Sequence, residues 1–312
     1  MKILVTGASG FLGRHLCSKL KQQGHQLFEA NSKNCDLTKA ASLAQFVSCK
    51  VDRIYHLASW TQAGDFCLYH PGEQWLINQK INTHVLDWWA AHQPQAKIVC
   101  MGTSCAYDPG LPLEEENYFK GTPIESLFTY AMGKRMLLTG LIALHKQYGL
   151  NYLYLVPSTL YGPNYHEDGR QMHFIFDLVR KILRGARDRE PVSLWGDGHQ
   201  MRELIHVEDF LEATFKLVEA HSNTWINIGA GEGFSIRHFA KQICEVVGYS
   251  ADQINYDTTK FVGAKSKVLN TTKLKRLLPS FSVRSLKQGL EEVVDWFERK
   301  EKCLPGHQTR LL

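Results

Sequence analysis

Residues 2–13 read KILVTGASGFLG, an apolar strand-like run that leads through Gly7, Gly10 and Gly13 into a helical pattern. Three spaced glycines are weak evidence by themselves. Between a strand and a helix, however, they permit a tight turn and a close approach of the backbone to a pyrophosphate. The helix that follows would offer unpaired N–H groups and a partial positive charge to those phosphates. The stretch therefore predicts a dinucleotide-binding unit at the start of the chain.

The first half of the chain continues this alternation of strands and helices. After the strand at 2–6 and the helix at 11–23, strands are predicted at 25–30, 53–58, 97–101 and 152–156, with helices such as 77–92 and 129–148 between them. This order is typical of parallel strands joined by crossover helices. We therefore predict an α/β fold with a Rossmann-type doubly wound parallel sheet.

The pattern changes after residue 163. It predicts a helix at 174–184, strands at 192–195 and 204–207, a helix at 210–220 with Asp209 as its N-cap, a sheet strand at 224–228 and a mostly helical C-terminal third. We place an NAD(P)-binding domain at residues 1–163 plus about 205–230. A smaller, mostly helical substrate-binding domain would take about 164–204 plus 231–312.

The composition is that of an ordinary globular chain, with a net charge of +5 and no long basic run, so we expect no nucleic-acid surface. The eight cysteines form no C-x-x-C pair, which favours free thiols in a reducing, cytoplasmic compartment and no metal site. The chain begins directly with a strand pattern, and no apolar stretch of about 18–20 residues stands out. We expect neither a targeting peptide nor a membrane span.

The end of the second strand predicts which dinucleotide binds. An acidic residue there would accept from the ribose hydroxyls of NAD and repel the extra phosphate of NADP. This sequence has Asn31, Ser32 and Lys33 instead, with Arg14 just after the last glycine, which predicts NADP with NAD as the alternative. Lys33 and Arg14 would also fit a reading as plain surface charges. The predicted cofactor contacts are Gly7, Ser9, Gly10, Phe11, Leu12, Gly13, Arg14, Asn31, Ser32, Lys33, Leu57, Ala58, Tyr130 and Lys134, with Asp36 and Leu37 near the adenine.

Tyr130 and Lys134 form a Y-x-x-x-K pair that lies on one face of a predicted helix. An ammonium beside a phenol favours the phenolate, so we expect Lys134 to lower the pKa of Tyr130 from about 10. The tyrosine could then exchange a proton with an alcohol or ketone while hydride moves to or from a nicotinamide. Ser104, just after the fourth strand, would help to hold the reacting oxygen.

These features together resemble the extended short-chain dehydrogenase/reductase family, in its nucleotide-sugar epimerase/reductase group. GTSCAY at 102–107, TYAMGKRM at 129–136, VPSTLYGPN at 156–164, SLWGDGHQMRELIHVEDF at 193–210 and DTTKFVGAKSKVLN at 257–270 follow one another as in the GDP-L-fucose synthases. The resemblance covers nearly the whole chain. It implies an NADP-dependent 3,5-epimerase and 4-reductase of a GDP-4-keto-6-deoxy sugar, working as a homodimer.

The resemblance also implies which residues carry the chemistry. Ser104, Tyr130 and Lys134 match the reductase triad, while Cys105 and His173 match an epimerase acid–base pair. A 4-keto group acidifies the protons on C3 and C5, so one group can remove such a proton and the other can return one on the opposite face. A thiol of pKa about 8.5 and an imidazole of pKa about 6.5 suit this task. The implied substrate contacts are Ser104, Asn164, His173, Lys181, Trp195, Arg202 and Lys267, with Arg202 and Lys267 on the diphosphate.

Some positions depart from the pattern of the fucose enzymes. Ser9 stands where they carry arginine, Thr129 where proline is common and Lys181 where arginine is expected. The stretch HLASWTQAGDF at 56–66 is also bulkier than its counterpart. These differences leave several alternatives: a single-activity epimerase, a 4-ketoreductase for another deoxysugar or heptose, an NAD-dependent hexose 4-epimerase, or a redox-sensing binding module without catalysis.

Overall fold

The computed structural model describes residues 1–302 except residues 65, 167 and 261. Its strands are β1 Lys2–Thr6, β2 Gln26–Ala30, β3 Arg53–His56, β4 Lys97–Met101, β5 Tyr152–Pro157, β6 Thr159–Tyr161, β7 Val192–Trp195, β8 Met201–Arg202, β9 Leu204–His206, β10 Thr224–Ile228, β11 Phe234–Ser235, β12 Ile254–Asp257 and β13 Ser266–Lys267. Its α-helices are α1 Phe11–Gln22, α2 Phe66–Tyr69, α3 Pro71–His92, α4 Phe128–Tyr148, α5 Phe174–Asp188, α6 Val207–Ala220, α7 Ile236–Val247, α8 Thr272–Leu277 and α9 Leu286–Lys302.

The central sheet has six parallel strands in the order β10-β5-β4-β3-β1-β2. From β1 the chain pairs on one side with β2 and on the other with β3, so the direction of strand addition reverses at β1. Ligands of such sheets bind in the crevice at the carboxyl ends of the strands beside this reversal. The predicted Rossmann-type α/β class is confirmed, and the expected dinucleotide site lies at this reversal.

Apolar side chains cover both faces of the sheet. One core cluster lies between the sheet and the helices α3 and α4, and another lies under α1 and α6. A third cluster, which includes Phe176, Leu194, Phe239 and Val293, joins α5, β7, α7 and α9. The small sheet β11-β8-β13 lies in the same later part of the chain. The division into two domains at the proposed boundaries stays a prediction, and residues 303–312 lie outside the described part.

Several predicted element ends are wrong. The third strand ends at His56 instead of residue 58, and α3 begins at Pro71, before the predicted residue 77. Asp209 is not an N-cap: α6 begins at Val207, and the His206 side chain accepts the capping hydrogen bond from the Glu208 N–H. The Asp209 carboxylate instead binds the guanidinium of Arg284 at 2.9 Å. A charged partner from a distant segment is a stronger ligand for this carboxylate than a neighbouring N–H.

The expectation that no segment is long and apolar enough to cross a membrane is also wrong. The helical stretch 125–148 passes that test by length and composition. In the fold it packs against α3, and Ala131, Leu138 and Leu141 are fully buried in the core. Core helices of globular proteins pass the same test, and one third of the apolar window is buried within this fold.

The pairing of α1 with α6 makes a prediction about stability. Glu208 accepts from His15 at 2.9 Å and binds Lys19 at 2.7 Å, and these bonds outweigh partial burial to lower the pKa of its carboxyl to about 2. The bonds stabilise the fold above the unfolded-state pKa of about 4.3 and are lost as pH falls towards 2. We expect Glu208→Gln to lower the unfolding free energy by about 1–2 kcal/mol at pH 7, a difference that closes as pH falls to about 2.

The measurement is denaturant unfolding of both proteins across this pH range. Glu212→Gln is the matched control, because the Glu212–Lys216 pair on the same helix is about half exposed and should contribute little. Equal losses in the two variants, or a loss for Glu208→Gln that does not change with pH, would contradict the explanation.

Candidate active site

The glycine loop has the geometry that a phosphate cradle requires. Gly7 has φ +70°, and a Cβ there would lie 2.8 Å from the Ala58 nitrogen. A Cβ on Gly13 would lie 2.2 Å from the Gly7 carbonyl oxygen. Gly10 is the N-cap of α1 and makes no side-chain capping bond, and the first turn of α1 holds no acidic residue. The helix N-terminus therefore keeps its partial positive charge for an anion.

Arg14 joins two segments that the sequence predicted separately as cofactor and substrate contacts. Its guanidinium donates to the Ser9 carbonyl at 2.8 Å and to the Asn164 carbonyl. Asn164 has φ +65°, so its loop turns back towards the glycine loop. Two of the nearby predicted contacts are partly buried by packing, Phe11 against Tyr165 and Leu12 against the sheet. Their backbone, not their side chains, is what the loop offers to a dinucleotide.

The first three residues after β2, at 31–33, are polar or basic, and none of them is acidic. Asn31 accepts from the Lys33 N–H at 2.9 Å, while the Ser32 and Lys33 side chains are exposed. This arrangement fits a negatively charged ribose phosphate. The protein itself engages the two predicted adenine contacts: Asp36 accepts from Thr38, and Leu37 is buried in the core. The Leu37 side chain is therefore not free for the nucleotide, while the Asp36 carboxylate, which is 43% exposed, keeps acceptor sites.

The loop after β3 is held by a buried polar relay. Thr6 hydrogen-bonds the His56 ring at 2.8 Å, and the other ring nitrogen lies 3.1 Å from Asn82. Burial lowers the pKa of His56 to about 4, so the ring is neutral. The Leu57 and Ala58 N–H groups donate to the Thr6 carbonyl and hydroxyl. The relay thus fixes the backbone of Leu57 and Ala58 beside the glycine loop, as a cofactor contact there would need.

The hydroxyl beside the Tyr130 phenol belongs to Thr103, whereas the sequence predicted Ser104. The Thr103 side chain hydrogen-bonds the Tyr130 phenol and accepts from the Cys105 N–H at 3.2 Å. Ser104 is also buried in this turn after β4, but it lines the neighbouring cavity. Thr103 is therefore the site residue that the sequence reasoning missed. Its signal was the adjacent pair of hydroxyl residues in GTSCAY, which the sequence could not orient.

The expected lowering of the Tyr130 pKa is also wrong for the free chain. Burial and the nearby Cys105 raise the pKa of Tyr130, and the Thr103 hydrogen bond only partly offsets them. Lys134 lies 6.0 Å from the centre of the Tyr130 ring and donates to the Met101 carbonyl at 3.0 Å. Burial lowers the pKa of Lys134 to about 8. A neutral phenol is a proton donor, which is the role that reduction of a ketone needs.

Cys105 and the two predicted diphosphate ligands meet in one open cavity. The Lys267 ammonium donates to the Cys105 sulfur at 3.3 Å. Arg202 points its guanidinium at the Met201 and Ala264 carbonyls, each at 2.8 Å. The remaining wall is formed by Ser104, Tyr107, Pro109, Leu113, Ile124, Ser126, Leu127, Gly263, Ala264 and Ser266. The cavity therefore combines a thiol, two cations and apolar walls.

The electrostatics of this cavity make the thiol of Cys105 more acidic than an ordinary cysteine. Burial alone would raise the pKa of the thiol, but the charge and hydrogen bond of Lys267, the Thr103 hydrogen bond and the charge of Arg202 together bring it below its usual value. The other buried thiols behave in the opposite way, as burial raises the pKa of Cys67 and Cys244. Low thiol pKa values beside a lysine are typical of reactive cysteines.

His173 stands at the N-cap position of α5 with its side chain exposed. Desolvation by the surrounding protein and the charge of Lys267 lower the pKa of His173, so its imidazole is a neutral base at pH 7. The charge of Lys267 lowers the pKa of both Cys105 and His173, but His173 is not among the residues that line the cavity. The site thus offers a base and a proton donor of the kinds that epimerisation needs.

Two other predicted substrate contacts lie outside this cavity wall. Lys181 binds Asp177 at 2.9 Å one turn earlier on α5. Trp195 ends β7 with 55% of its surface exposed. Among the described residues, neither side chain lines the cavity that holds Cys105.

Residues 3–229 match the NAD dependent epimerase/dehydratase family. The chain belongs to this family. The match covers the glycine loop, Tyr130 and Lys134, and it confirms an NAD(P)-dependent enzyme of the epimerase/reductase type. The resemblance to nucleotide-sugar enzymes of the extended short-chain dehydrogenase/reductase family is confirmed as well.

Members of this family with similar sequences or structures include GDP-sugar enzymes. The chain is 28% identical over 322 residues to the GDP-L-fucose synthase of Escherichia coli (strain K12), with 98% of this chain and 99% of that protein covered. A GDP-6-OMe-4-keto-L-xylo-heptose reductase from C. jejuni superposes with a TM-score of 0.87 at 21% identity, covering 96% and 98% of the chains. A GDP-L-fucose synthetase from Naegleria fowleri bound to NADP gives a TM-score of 0.85 at 22% identity, covering 97% and 95%.

Proposed function

We propose that this enzyme is an NADP-dependent epimerase/4-ketoreductase that acts on a GDP-4-keto-6-deoxy sugar. The observation that carries the proposal is the cation-supported thiol of Cys105, which Thr103 links to the reductase tyrosine, Tyr130. A plain ketoreductase needs the phenol but has no use for an acidic thiol. The names of its relatives, GDP-L-fucose synthase among them, support the GDP-sugar class.

NADP is the cofactor that the residues favour. The glycine loop fits a pyrophosphate, and exposed Lys33 with polar Asn31 fits a ribose phosphate better than an acidic residue would. NAD stays the alternative, because Arg14 already donates to two backbone carbonyls and Ser9 brings no charge. Comparing kcat/KM for NADPH and NADH tests this preference, and equal values would contradict it.

In the epimerase half, the chain binds the sugar in the cavity beside Cys105, with Arg202 and Lys267 available to the diphosphate. The 4-keto group acidifies the neighbouring C–H bonds. His173, held neutral, accepts a proton from carbon, and an enolate forms. Cys105 can then return a proton from its side because Lys267 stabilises the resulting thiolate. The proposal covers epimerisation at C3, at C5 or at both carbons.

In the reductase half, NADPH held at the glycine loop would supply the hydride for the C4 carbonyl carbon. Tyr130 gives its phenol proton to the C4 oxygen, which becomes the hydroxyl. Thr103, hydrogen-bonded to the same phenol, holds the donor in place. Lys134 keeps a positive charge near the forming phenolate up to pH values near its pKa of about 8.

The deciding experiment incubates the protein with GDP-4-keto-6-deoxymannose in deuterated water, with and without NADPH. The products are analysed by NMR and mass spectrometry. Deuterium entry at C3 or C5 without NADPH, followed by C4 reduction when NADPH is added, is the expected result. Reduction without exchange would make the chain a plain 4-ketoreductase, and exchange without reduction would make it a single-activity epimerase.

A 4-ketoreductase for another deoxysugar or heptose is the second candidate. The structural likeness to the heptose reductase of C. jejuni and the bulky stretch 56–66 favour it. Trp60 in this stretch packs against Phe66 with ring centres 4.8 Å apart, next to the short helix α2. The side chains of this stretch would distinguish a larger sugar from a smaller one. A panel of GDP-4-keto sugars in the same assay identifies the preferred substrate.

A homodimer formed through α3 and α4 is also part of the proposal. These two neighbouring helices and α2 expose large apolar side chains, namely Leu68, Tyr69, Trp75, Leu76, Phe128 and Met136. Apolar patches of this kind typically mark protein interfaces. We expect Leu76→Glu to convert the protein to a monomer in light scattering after size exclusion. Val47→Glu, an exposed site outside these helices, should leave the mass unchanged.

If Leu76→Glu keeps the wild-type mass, or the wild type is already a monomer, the dimer proposal fails.

We further propose a cytoplasmic location, which rests on the free cysteines of the described chain. Activity recovered in a membrane or secreted fraction after cell fractionation would contradict it.

A further inference from the structure

The residue that follows Arg202 in the chain is a buried glutamate. This residue, Glu203, is 1% exposed. Its carboxylate accepts from the Gly231 N–H at 2.6 Å, from the Leu269 N–H at 2.8 Å and from the Ala230 N–H. A Cβ on Gly229 would lie 2.2 Å from one of its oxygens, so the backbone closes around it.

These bonds join the segments that flank the small sheet. Arg202 on β8 pairs in register with Lys267 on the neighbouring strand β13 and with Phe234 on β11 on its other side. Both outer strands have only two residues, so few ladder bonds hold them. Leu269 comes just after β13, and Gly231 lies between β10 and β11. One carboxylate therefore fastens both outer strands to the middle one.

We propose that Glu203 is a positioning residue that holds the Lys267 ammonium against the Cys105 sulfur by anchoring the backbone on both sides of β8. The inference rests on the proposed function only for the chemical role of the Cys105 thiol. Glu203 itself does not touch the cavity; it acts through the backbone of the strand that carries Lys267. The contact it preserves is the 3.3 Å hydrogen bond from Lys267 to Cys105.

A carboxylate suits this task better than other side chains. Its two oxygens have about four acceptor sites and can serve all three N–H groups, whereas glutamine has one acceptor oxygen and would turn an NH₂ towards a backbone N–H. Burial raises the pKa of Glu203 to about 7, against the effect of its three backbone donors. The anchor therefore works through the two acceptor oxygens of Glu203, and glutamine removes one of them without adding bulk.

The test follows the thiol itself and needs no substrate. The alkylation rate of Cys105 by iodoacetamide is measured against pH on the intact protein, using mass spectrometry of the peptide that contains it. Thiolate is the reactive form, so the profile gives the thiol pKa. Besides Lys267, the groups that influence this thiol or are influenced by it are Arg202 on β8, Tyr130 on α4, Tyr118 after β4 and Cys67 on α2.

We expect Glu203→Gln to move the alkylation profile upward by about one pH unit, which is about a tenfold slower reaction at pH 7. Lys267→Met should move it at least as far, and the double variant no further than Lys267→Met alone, because both changes remove the same contact. Glu115→Gln is the matched control. Glu115 is also buried and accepts a backbone N–H, from Asn227 at 2.8 Å, but that bond fastens β10.

A wild-type profile in Glu203→Gln, together with a shifted profile in Lys267→Met, would overturn the proposal. So would equal shifts in Glu203→Gln and Glu115→Gln, because they would mark a general loss of structure. If Glu203→Gln does not fold, Glu203→Asp, which keeps the charge but shortens the reach, must shift the profile in the same direction. A shift in a protein that fails to epimerise any GDP-sugar would support the positioning role while rejecting the proposed function.

Discussion

Replacing Tyr130 with phenylalanine is expected to slow reduction of the 4-keto sugar by about 10²- to 10⁴-fold, the usual contribution of a general acid. The phenol is the proton donor because burial keeps it neutral and Thr103 holds it in place. Phenylalanine keeps the ring and removes only the hydroxyl. Binding of NADPH and deuterium exchange at the epimerised carbon should persist, since neither uses the phenol proton. The rate is followed by the loss of NADPH absorbance in a single turnover.

The matched control is Tyr148→Phe, which removes a hydroxyl from an exposed tyrosine near the end of the same helix. Its reduction rate should equal that of the wild type. If Tyr130→Phe retained more than about a tenth of the wild-type rate, another group would have to donate the proton. Thr103, which shares the hydrogen bond, would then be the first candidate.

The sequence predicted the central sheet and its flanking helices well, because these elements depend on local patterns. A strand such as β1, a glycine turn and the amphipathic helix α1 each follow from neighbouring residues, and the sheet follows from their alternation. Tyr130 and Lys134 share a helix face by spacing alone. These features could be located within a few residues of their true ends.

The chemistry was less predictable because it depends on contacts between distant segments. Lys267 was expected on a diphosphate, yet it donates to Cys105 across 162 positions of the chain. The choice between Thr103 and Ser104 depends on how the turn after β4 points its side chains, and no spacing rule fixes that. The local pattern predicted Asp209 as a helix N-cap, because it does not show the partner Arg284, which lies 75 positions away. In each case a contact in the folded chain decided the role of the residue, and the local sequence pattern did not show that contact.

Replacing Cys105 with serine is expected to slow deuterium exchange on the sugar by at least about 10²-fold, again the scale of one acid–base group. Serine keeps the shape and the hydrogen bond from Lys267. Its hydroxyl is far less acidic than a thiol, so the stabilised anion that Lys267 supports in the wild type does not form. Reduction through Tyr130 should continue and give a product without inverted centres. NMR of the sugar distinguishes the two products.

Cys67→Ser is the control near the same site, because burial raises the pKa of that thiol and Gln74 hydrogen-bonds it at 3.4 Å. It should exchange deuterium at the wild-type rate. Wild-type exchange in Cys105→Ser would leave His173 as the sole acid–base group and remove the observation on which the dual function rests. Exchange that is lost in Cys105→Ser and slowed in Lys267→Met, with reduction intact in both, would tie the epimerase half to this cation–thiol pair.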